Sequence, residues 1–549
     1  MVRAANGLAR ILAQEGVERV FTFPTTPINN AVGEEGAPEL FMLRDERYAV
    51  SVADAVSRLS DGESLGVCTV MGGLNAAGVQ MAYGALAEAY EDSVPLLCLT
   101  DGVPSKWLGV ERFDIGEGLR PVAKWVGYVN KAERVPEFMR RAFTALRSGR
   151  PSPVLLQVPR DLGEYDEEAH PYKAVKGWRS MGDPGDVARV VRALGEAERP
   201  LLWAGQGVFS AGAVEELKAL AEEAHLPVLT TLKAKSVFPE DHELSLGVRG
   251  VAAERFLRES DLVLMVGVGQ TPSEFMHYIP DPFSKRVVQV TNDPMDLNRM
   301  YWVDYAVLGD AKLVLRQLLE AIRGAGPPRR RPGLVEEIRA AKEEMWAQYR
   351  PLLESAEKPI NPYRVYGGLM EVLDPGNCLV THESGNTRDQ LSTVFTARVP
   401  HSFLGWGNVT TLGYGLAGVI AGRLVFPGRQ VVGVAGDAGV GYQMGNWEVL
   451  VRYRLGVTLV HINNDGFGGY GPGFWGRGHS PYTYEVAPST VQSSARVAEA
   501  LGMEAERVED PDEVEPALRR ALKANEGGRP YLLEFICSKY PVYPGWLKE

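Results

Sequence analysis

Short apolar runs of strand length alternate with helix-length segments along the whole chain. Runs at 19–23, 40–43, 65–70 and 94–99 end, respectively, at Pro24, before Arg44-Asp45-Glu46, at Met71-Gly72-Gly73 and at Thr100-Asp101-Gly102. The rhythm pauses in a polar stretch at 161–180, resumes with runs at 201–204, 226–230, 262–266 and 287–291, and pauses again at 324–333, where glycine and proline are too dense to pack as helix or strand. A last block carries runs at 377–381, 431–435, 457–462 and 531–536. This alternation predicts βαβ units. The expected class is α/β, with three doubly wound parallel-sheet domains at 1–165, 181–325 and 360–549. Ligands of such sheets sit beyond the carboxyl ends of strands, so the residues directly after each run are the ones to read for chemistry.

Composition narrows the function classes. The 549 residues carry 58 Lys plus Arg against 70 Asp plus Glu, a net charge of −12, without a basic block beyond Arg329-Arg330-Arg331 between prolines. That balance argues against nucleic acid or an anionic membrane as partner. No apolar run approaches the ~18 residues needed to span a bilayer, and the amino-terminal segment lacks a cleavable apolar stretch. Cys68, Cys98, Cys378 and Cys537 are far apart in or beside apolar runs, which reads as buried core thiols. A cytoplasmic protein is expected.

Two strand ends in the last block carry the sharpest chemistry. The run Val431–Ala435 ends in Gly436-Asp437-Ala438-Gly439, and the run Val457–Ile462 ends in Asn463-Asn464. A carboxylate and an amide oxygen on one sheet edge suit Mg²⁺, which prefers oxygen donors and keeps positions open for phosphate. The glycines let backbone N–H groups approach phosphate oxygens closely. This strand–GDxG–helix–strand–Asn-Asn pattern resembles the thiamine-diphosphate-dependent enzymes, with Ala438 where a third glycine is usual. The resemblance implies that Asp437 and Asn464 give side-chain oxygens to the metal, with the backbone carbonyl of Gly466 as a further ligand.

The same family places a cofactor-activating Glu after the second strand of its first domain. The matching stretch here is Leu43-Arg44-Asp45-Glu46-Arg47-Tyr48-Ala49, which makes Glu46 the candidate. Its carboxyl would hydrogen-bond the aminopyrimidine ring, in an apolar pocket that raises its pKa. Thr410-Thr411-Leu412-Gly413-Tyr414-Gly415 resembles the segment that props the bent cofactor, with Leu412 wedged between its rings and the Thr410 carbonyl accepting from the pyrimidine amine. The likeness spans nearly the whole chain and is to the acetolactate synthase-like group. It implies a homodimer or homotetramer, with Glu46 and Asp437 reaching one cofactor from two subunits.

The implied activity is decarboxylation of a small 2-oxo acid with carboligation. None of the eight histidines precedes His170, so the paired-His motif of simple pyruvate decarboxylases is missing from the first domain, which favours ligation. Candidate substrate residues are Thr25 and Thr26, where Pro-Gly-Gly is usual, Glu111, where acetolactate synthases carry Gln, and His277 and His479. A non-ligating decarboxylase or C–C bond hydrolase on the same cofactor, and a catalytically silent binding or regulatory relative, remain as alternatives. FAD in the central domain is considered and not favoured: glycines end two strands, at Gly205-Gln206-Gly207 and Gly267-Val268-Gly269, but GxGxxG spacing is absent.

Overall fold

The structure, a computed structural model, describes residues 1–23, 26–74, 76–270, 278–326, 330–405, 407, 409, 411–464 and 493–538. The chain forms two compact units, one made of residues 1–179 and 408–427, the other of 180–407 and 428–549.

In the first unit, β1 (Val2–Arg3) pairs antiparallel with β8 (Glu164–Tyr165). Between them lie β2 (Arg19–Phe23), β3 (Glu39–Met42), β4 (Gly66–Val70), β5 (Leu96–Thr100), β6 (Trp125–Tyr128) and β7 (Val154–Gln157). These six form a parallel sheet in the order β3-β2-β4-β5-β7-β6. Its central strands β4, β5 and β7 are buried along their whole length, as a sheet covered on both faces requires. The helix Glu46–Leu59 is buried on nearly every side. It packs against the helix Tyr414–Val425, whose Gly and Ala residues permit close approach.

The second unit holds two sheets. One comprises β9 (Pro200–Ala204), β10 (Val228–Thr230), β11 (Ser245–Gly247), β12 (Leu262–Val266), β13 (Arg286–Thr291) and β14 (Tyr305–Leu308), in the order β11-β10-β9-β12-β13-β14. The other comprises β15 (Cys378–His382), β16 (Phe403–Leu404), β17 (Gln430–Gly436), β18 (Thr458–Asn463), β19 (Glu504–Val508) and β20 (Tyr531–Ile536), in the order β16-β15-β17-β18-β20-β19. Every ladder in both is parallel. The fold is thus α/β, three parallel sheets flanked by helices.

Besides the short pair β1 and β8, six strands of the three parallel sheets do not stand out as apolar runs: β6, β7, β11, β14, β16 and β19. Five of these lie at sheet edges. An edge strand has one neighbour and an open side, so its sequence needs less apolar character; β19 (EAERV) is the extreme case. Among the described residues no helix is long and apolar enough to cross a membrane. The four cysteines are buried and unpaired.

Candidate functional site

Glu46 is the first residue of its helix. Asp45 caps that helix, its carboxylate accepting from the Tyr48 N–H at 2.8 Å. A helix start favours a carboxylate electrostatically, but Glu46 does not point to solvent: it is 7% exposed. Its carboxyl lies against Gly78, near the start of the helix Ala77–Glu91, where a Cβ would stand 2.5 Å from Glu46 Oε1 and 2.7 Å from the Met71 backbone nitrogen. Burial raises the Glu46 pKa; a backbone hydrogen bond lowers it by less, and the neighbouring charge of Asp45 adds a still smaller rise. A carboxyl so placed exchanges a proton more readily near neutral pH than an exposed one.

The same unit brings residues 411–414 to this helix. The Tyr48 hydroxyl donates to the Gly413 carbonyl at 3.0 Å, Arg47 Nη1 to the Leu412 carbonyl at 3.4 Å, and the Tyr414 hydroxyl to Asp54 Oδ1 at 2.6 Å. Gly413 has a φ of 101°, and a Cβ there would meet the Tyr48 hydroxyl at 2.6 Å, so glycine is required twice over. Leu412 is half-buried. Thr26 caps the helix Pro27–Glu35, its hydroxyl accepting from the Asn29 N–H at 3.3 Å. Glu111 accepts from the Gly109 N–H at 2.6 Å.

In the second unit, β17 and β18 are neighbours, and their ends converge. Asp437 opens the helix Asp437–Gln443 after Gly436, with its side chain 3% exposed; its Oδ2 accepts from the Asn464 N–H at 3.2 Å. Ala438 is half-buried on that helix. Gly439 faces Glu383, where a Cβ would come 2.5 Å from Cγ. Thr25, Thr410, Gly466, His277 and His479 lie outside the described residues.

Four groups here, Glu383, His382, Glu534 and His461, were not singled out from the sequence. Glu383 follows β15, is fully buried, and its Oε1 accepts from Gln443 Nε2 at 2.6 Å. The strand-end rule pointed to it, since the run at 377–381 leads straight into His382-Glu383-Ser384-Gly385. Burial pushes the His382 imidazole down to about 3, so it stays neutral. Glu534, within β20, is buried too; burial opposes its ionisation, but Ser493, the Ala495 N–H, Asn463 and His461 outweigh that and hold the carboxyl below its ordinary value. His461 sits inside β18 beside Asp437.

The donors fit a hard cation and a diphosphate. A carboxylate beside an amide at one strand end is the oxygen-donor set that Mg²⁺ prefers. The Asn386 amide oxygen is buried beside this edge with no hydrogen-bond partner among the described residues, and a flipped amide would present N–H to an anion. In the central sheet the strand order reverses between β9 and β12, the usual crevice for a dinucleotide. There Gly207 N donates to the Gly267 carbonyl at 3.1 Å, and a Cβ on Gly205 would lie 2.2 Å from that same oxygen. These glycines let two backbones touch.

Family models agree with this geometry. Residues 2–118 match the thiamine pyrophosphate enzyme N-terminal TPP binding domain, 187–318 the central domain and 383–535 the C-terminal TPP binding domain. The chain is 30% identical to a probable acetolactate synthase large subunit of Methanocaldococcus jannaschii, over 99% of this chain and 93% of the relative. It is 28% identical to the acetolactate synthase isozyme 3 large subunit of Escherichia coli K12, over 99% and 96%. It is also 28% identical to a glyoxylate carboligase of Escherichia coli O157:H7, over 95% and 90%. Fold, strand-end chemistry and these matches together show that the chain belongs to the thiamine pyrophosphate enzymes, in the acetolactate synthase-like group.

Proposed function

We propose that the protein catalyses thiamine-diphosphate- and Mg²⁺-dependent decarboxylation of a small 2-oxo acid and joins the acyl fragment to a second carbonyl compound. The observation that carries this reading is the buried Glu46 carboxyl, set against a glycine that leaves room for it and raised in pKa by burial. The relatives' names support ligation over plain decarboxylation, since synthases and a carboligase both form carbon–carbon bonds.

Asp437, Asn464 and the Gly466 carbonyl would hold the Mg²⁺. Gly436, Ala438 and Gly439 would shape the diphosphate site, and Thr410 and Leu412 would seat the pyrimidine and thiazolium rings. When bound, thiamine diphosphate supplies a carbon nucleophile and an electron sink for the departing CO₂. Glu46 holds and returns a proton at its carboxyl oxygen. Its burial keeps water from competing for that proton. Thr25, Thr26, Glu111, His277 and His479 are the proposed substrate-side residues, with the Thr26 hydroxyl already engaged in capping.

The proposed assembly is a homodimer or homotetramer with sites at the subunit interface. Met81, Tyr83 and Tyr90 are exposed on one helix, and Trp107, Leu108 and Val110 on a following loop, which supports a face covered by a second copy. Buried, unpaired thiols suit a reducing compartment, and the cytoplasm is the proposed location. FAD forms no part of the proposal.

The test is a panel of pyruvate, 2-oxobutyrate and glyoxylate with thiamine diphosphate and Mg²⁺, following CO₂ and products. Acetolactate, its homologue or another acyloin is expected. Glu46→Gln should lower turnover at least ~100-fold while cofactor binding persists. Aldehyde alone would establish the non-ligating decarboxylase instead. No turnover in protein that binds the cofactor would make it a silent relative.

A further inference from the structure

Asp437 does not stand alone on its strand end. His461, 3% exposed within β18, places Nε2 3.4 Å from Asp437 Oδ1. On the far side of the ring, Nδ1 lies 2.8 Å from the hydroxyl of Ser494, itself fully buried. The imidazole is thus held between the Asp437 carboxylate, at ion-pair distance, and the Ser494 hydroxyl, at hydrogen-bond distance, which fixes the position of the ring.

The preceding residue does the same for the other strand end. Ser493 Oγ donates to Glu534 Oε2 at 2.7 Å, and Glu534 Oε1 accepts from Asn463 Nδ2 at 2.8 Å. Asn463 adjoins Asn464. Two consecutive serines at the start of the helix Ser494–Ala500 therefore reach, each through one buried side chain, Asp437 by way of His461 and Asn463 by way of Glu534. Nothing in the packing of an apolar core asks for this. Three polar side chains at 3% exposure or less, His461, Ser494 and Glu534, replace what could be Val or Leu.

We propose that His461, held by Ser494, is a positioning residue that aims the Asp437 carboxylate at the metal, so that Ser494 contributes to cation affinity. This rests on Asp437 being a metal ligand, as proposed above. Partners behind a metal-ligating group commonly govern affinity 10–100-fold when removed, about the range expected here.

The full-length protein, stripped with chelator and then given saturating thiamine diphosphate, is titrated with Mg²⁺ while its tryptophan fluorescence is followed. His461→Phe keeps a ring of similar size without nitrogens and should raise the half-saturating Mg²⁺ concentration about 10–100-fold. Ser494→Ala should raise it about 5-fold, and Ser494→Thr, which keeps the hydroxyl, should restore wild-type affinity. If His461→Phe fails to fold, the Ser494 pair decides. Melting temperatures without metal separate this from a structural role: a lowered melting point with unchanged Mg²⁺ affinity in these variants overturns the proposal. A wild-type protein whose cofactor binding ignores Mg²⁺ would instead overturn the reading of Asp437 itself, and this inference with it.

Discussion

The first and third sheets are wound alike. Counted from each domain's own first strand, both run 2-1-3-4-6-5, so β4 and β5 occupy the places that β17 and β18 hold. Each pair ends in one acid that reaches across to its neighbour's backbone. In the first sheet the acid is Asp101, after β5: its Oδ1 accepts from the Gly72 N–H at 2.8 Å and its Oδ2 meets Arg160 at 3.1 Å. In the third it is Asp437, after β17, with the Asn464 N–H at 3.2 Å and the His461 ring at 3.4 Å. The winding supplies the same pair of neighbouring strand ends twice, with the acid after the later strand in the first sheet and after the earlier strand in the third. What stands around the carboxylate decides its use: a guanidinium partner turns Asp101 to holding a loop, whereas Asp437 faces amide and imidazole groups that suit a metal's surroundings.

The largest expected effect breaks this symmetry directly. Asp437→Asn should weaken Mg²⁺-dependent cofactor binding at least ~100-fold with little change in the melting point of the metal-free protein. Asp101→Asn should do the reverse, costing about 2 kcal/mol for a buried donor left with a weaker acceptor and leaving Mg²⁺ affinity within about twofold. Equal effects on binding would show that the two strand ends do not differ in role.

The next test uses glycines. Gly78 and Gly439 each stand where a Cβ would come 2.5 Å from a glutamate side chain, Glu46 and Glu383. At Gly78 the Met71 backbone is also within 2.9 Å and cannot yield, so Gly78→Ala should displace Glu46, cut turnover at least ~10-fold and destabilise the protein by about 1–3 kcal/mol. At Gly439 the nearest atoms are side-chain atoms of Glu383 rather than backbone, so Gly439→Ala should cost less in both activity assays and thermal melts.

The smallest effect concerns two buried carboxyls. Burial, then the charge of Asp54, pushes Glu88 well above the usual carboxylate range, with Arg58 opposing. Folded Glu88 thus keeps a proton the unfolded chain has lost, and stability declines as pH rises from about 4.5 toward the folded pKa. Glu88→Gln should remove that slope and raise the melting point by about 2 °C at pH 8. Glu534 is held below its ordinary value, so its contribution is present above about pH 4.5 and fades as pH falls through the lowered pKa; Glu534→Gln should lose stability at pH 7 and change little in strong acid. Melts across pH 2–9 check both signs.

Much of the molecule is legible in the amino-acid order. Buried central strands such as GVCTV and LVLMV announce themselves because both faces must be apolar, and the chemistry beyond β17 and β18 lies within a few residues of those strands. Edge strands are less legible: β19 is partly exposed along most of its length and β11 is only three residues long, so composition hardly marks them. Glu383 was within reach of the strand-end rule, being the first residue after a strand. His461 and Glu534 were not, because they sit inside strands where an isolated polar residue has no local signal.

The order of residues thus determined the three-sheet α/β architecture, the family, and which loops carry oxygen donors, since these depend on hydropathy and neighbours along the chain. Only the tertiary structure decided that Glu46 is buried against Gly78, that Asp101 is tied to Arg160, and that His461 leans on Ser494. Each of those facts depends on distances between segments far apart in sequence, and burial and hydrogen bonding act over a few ångströms of space whatever the separation along the backbone.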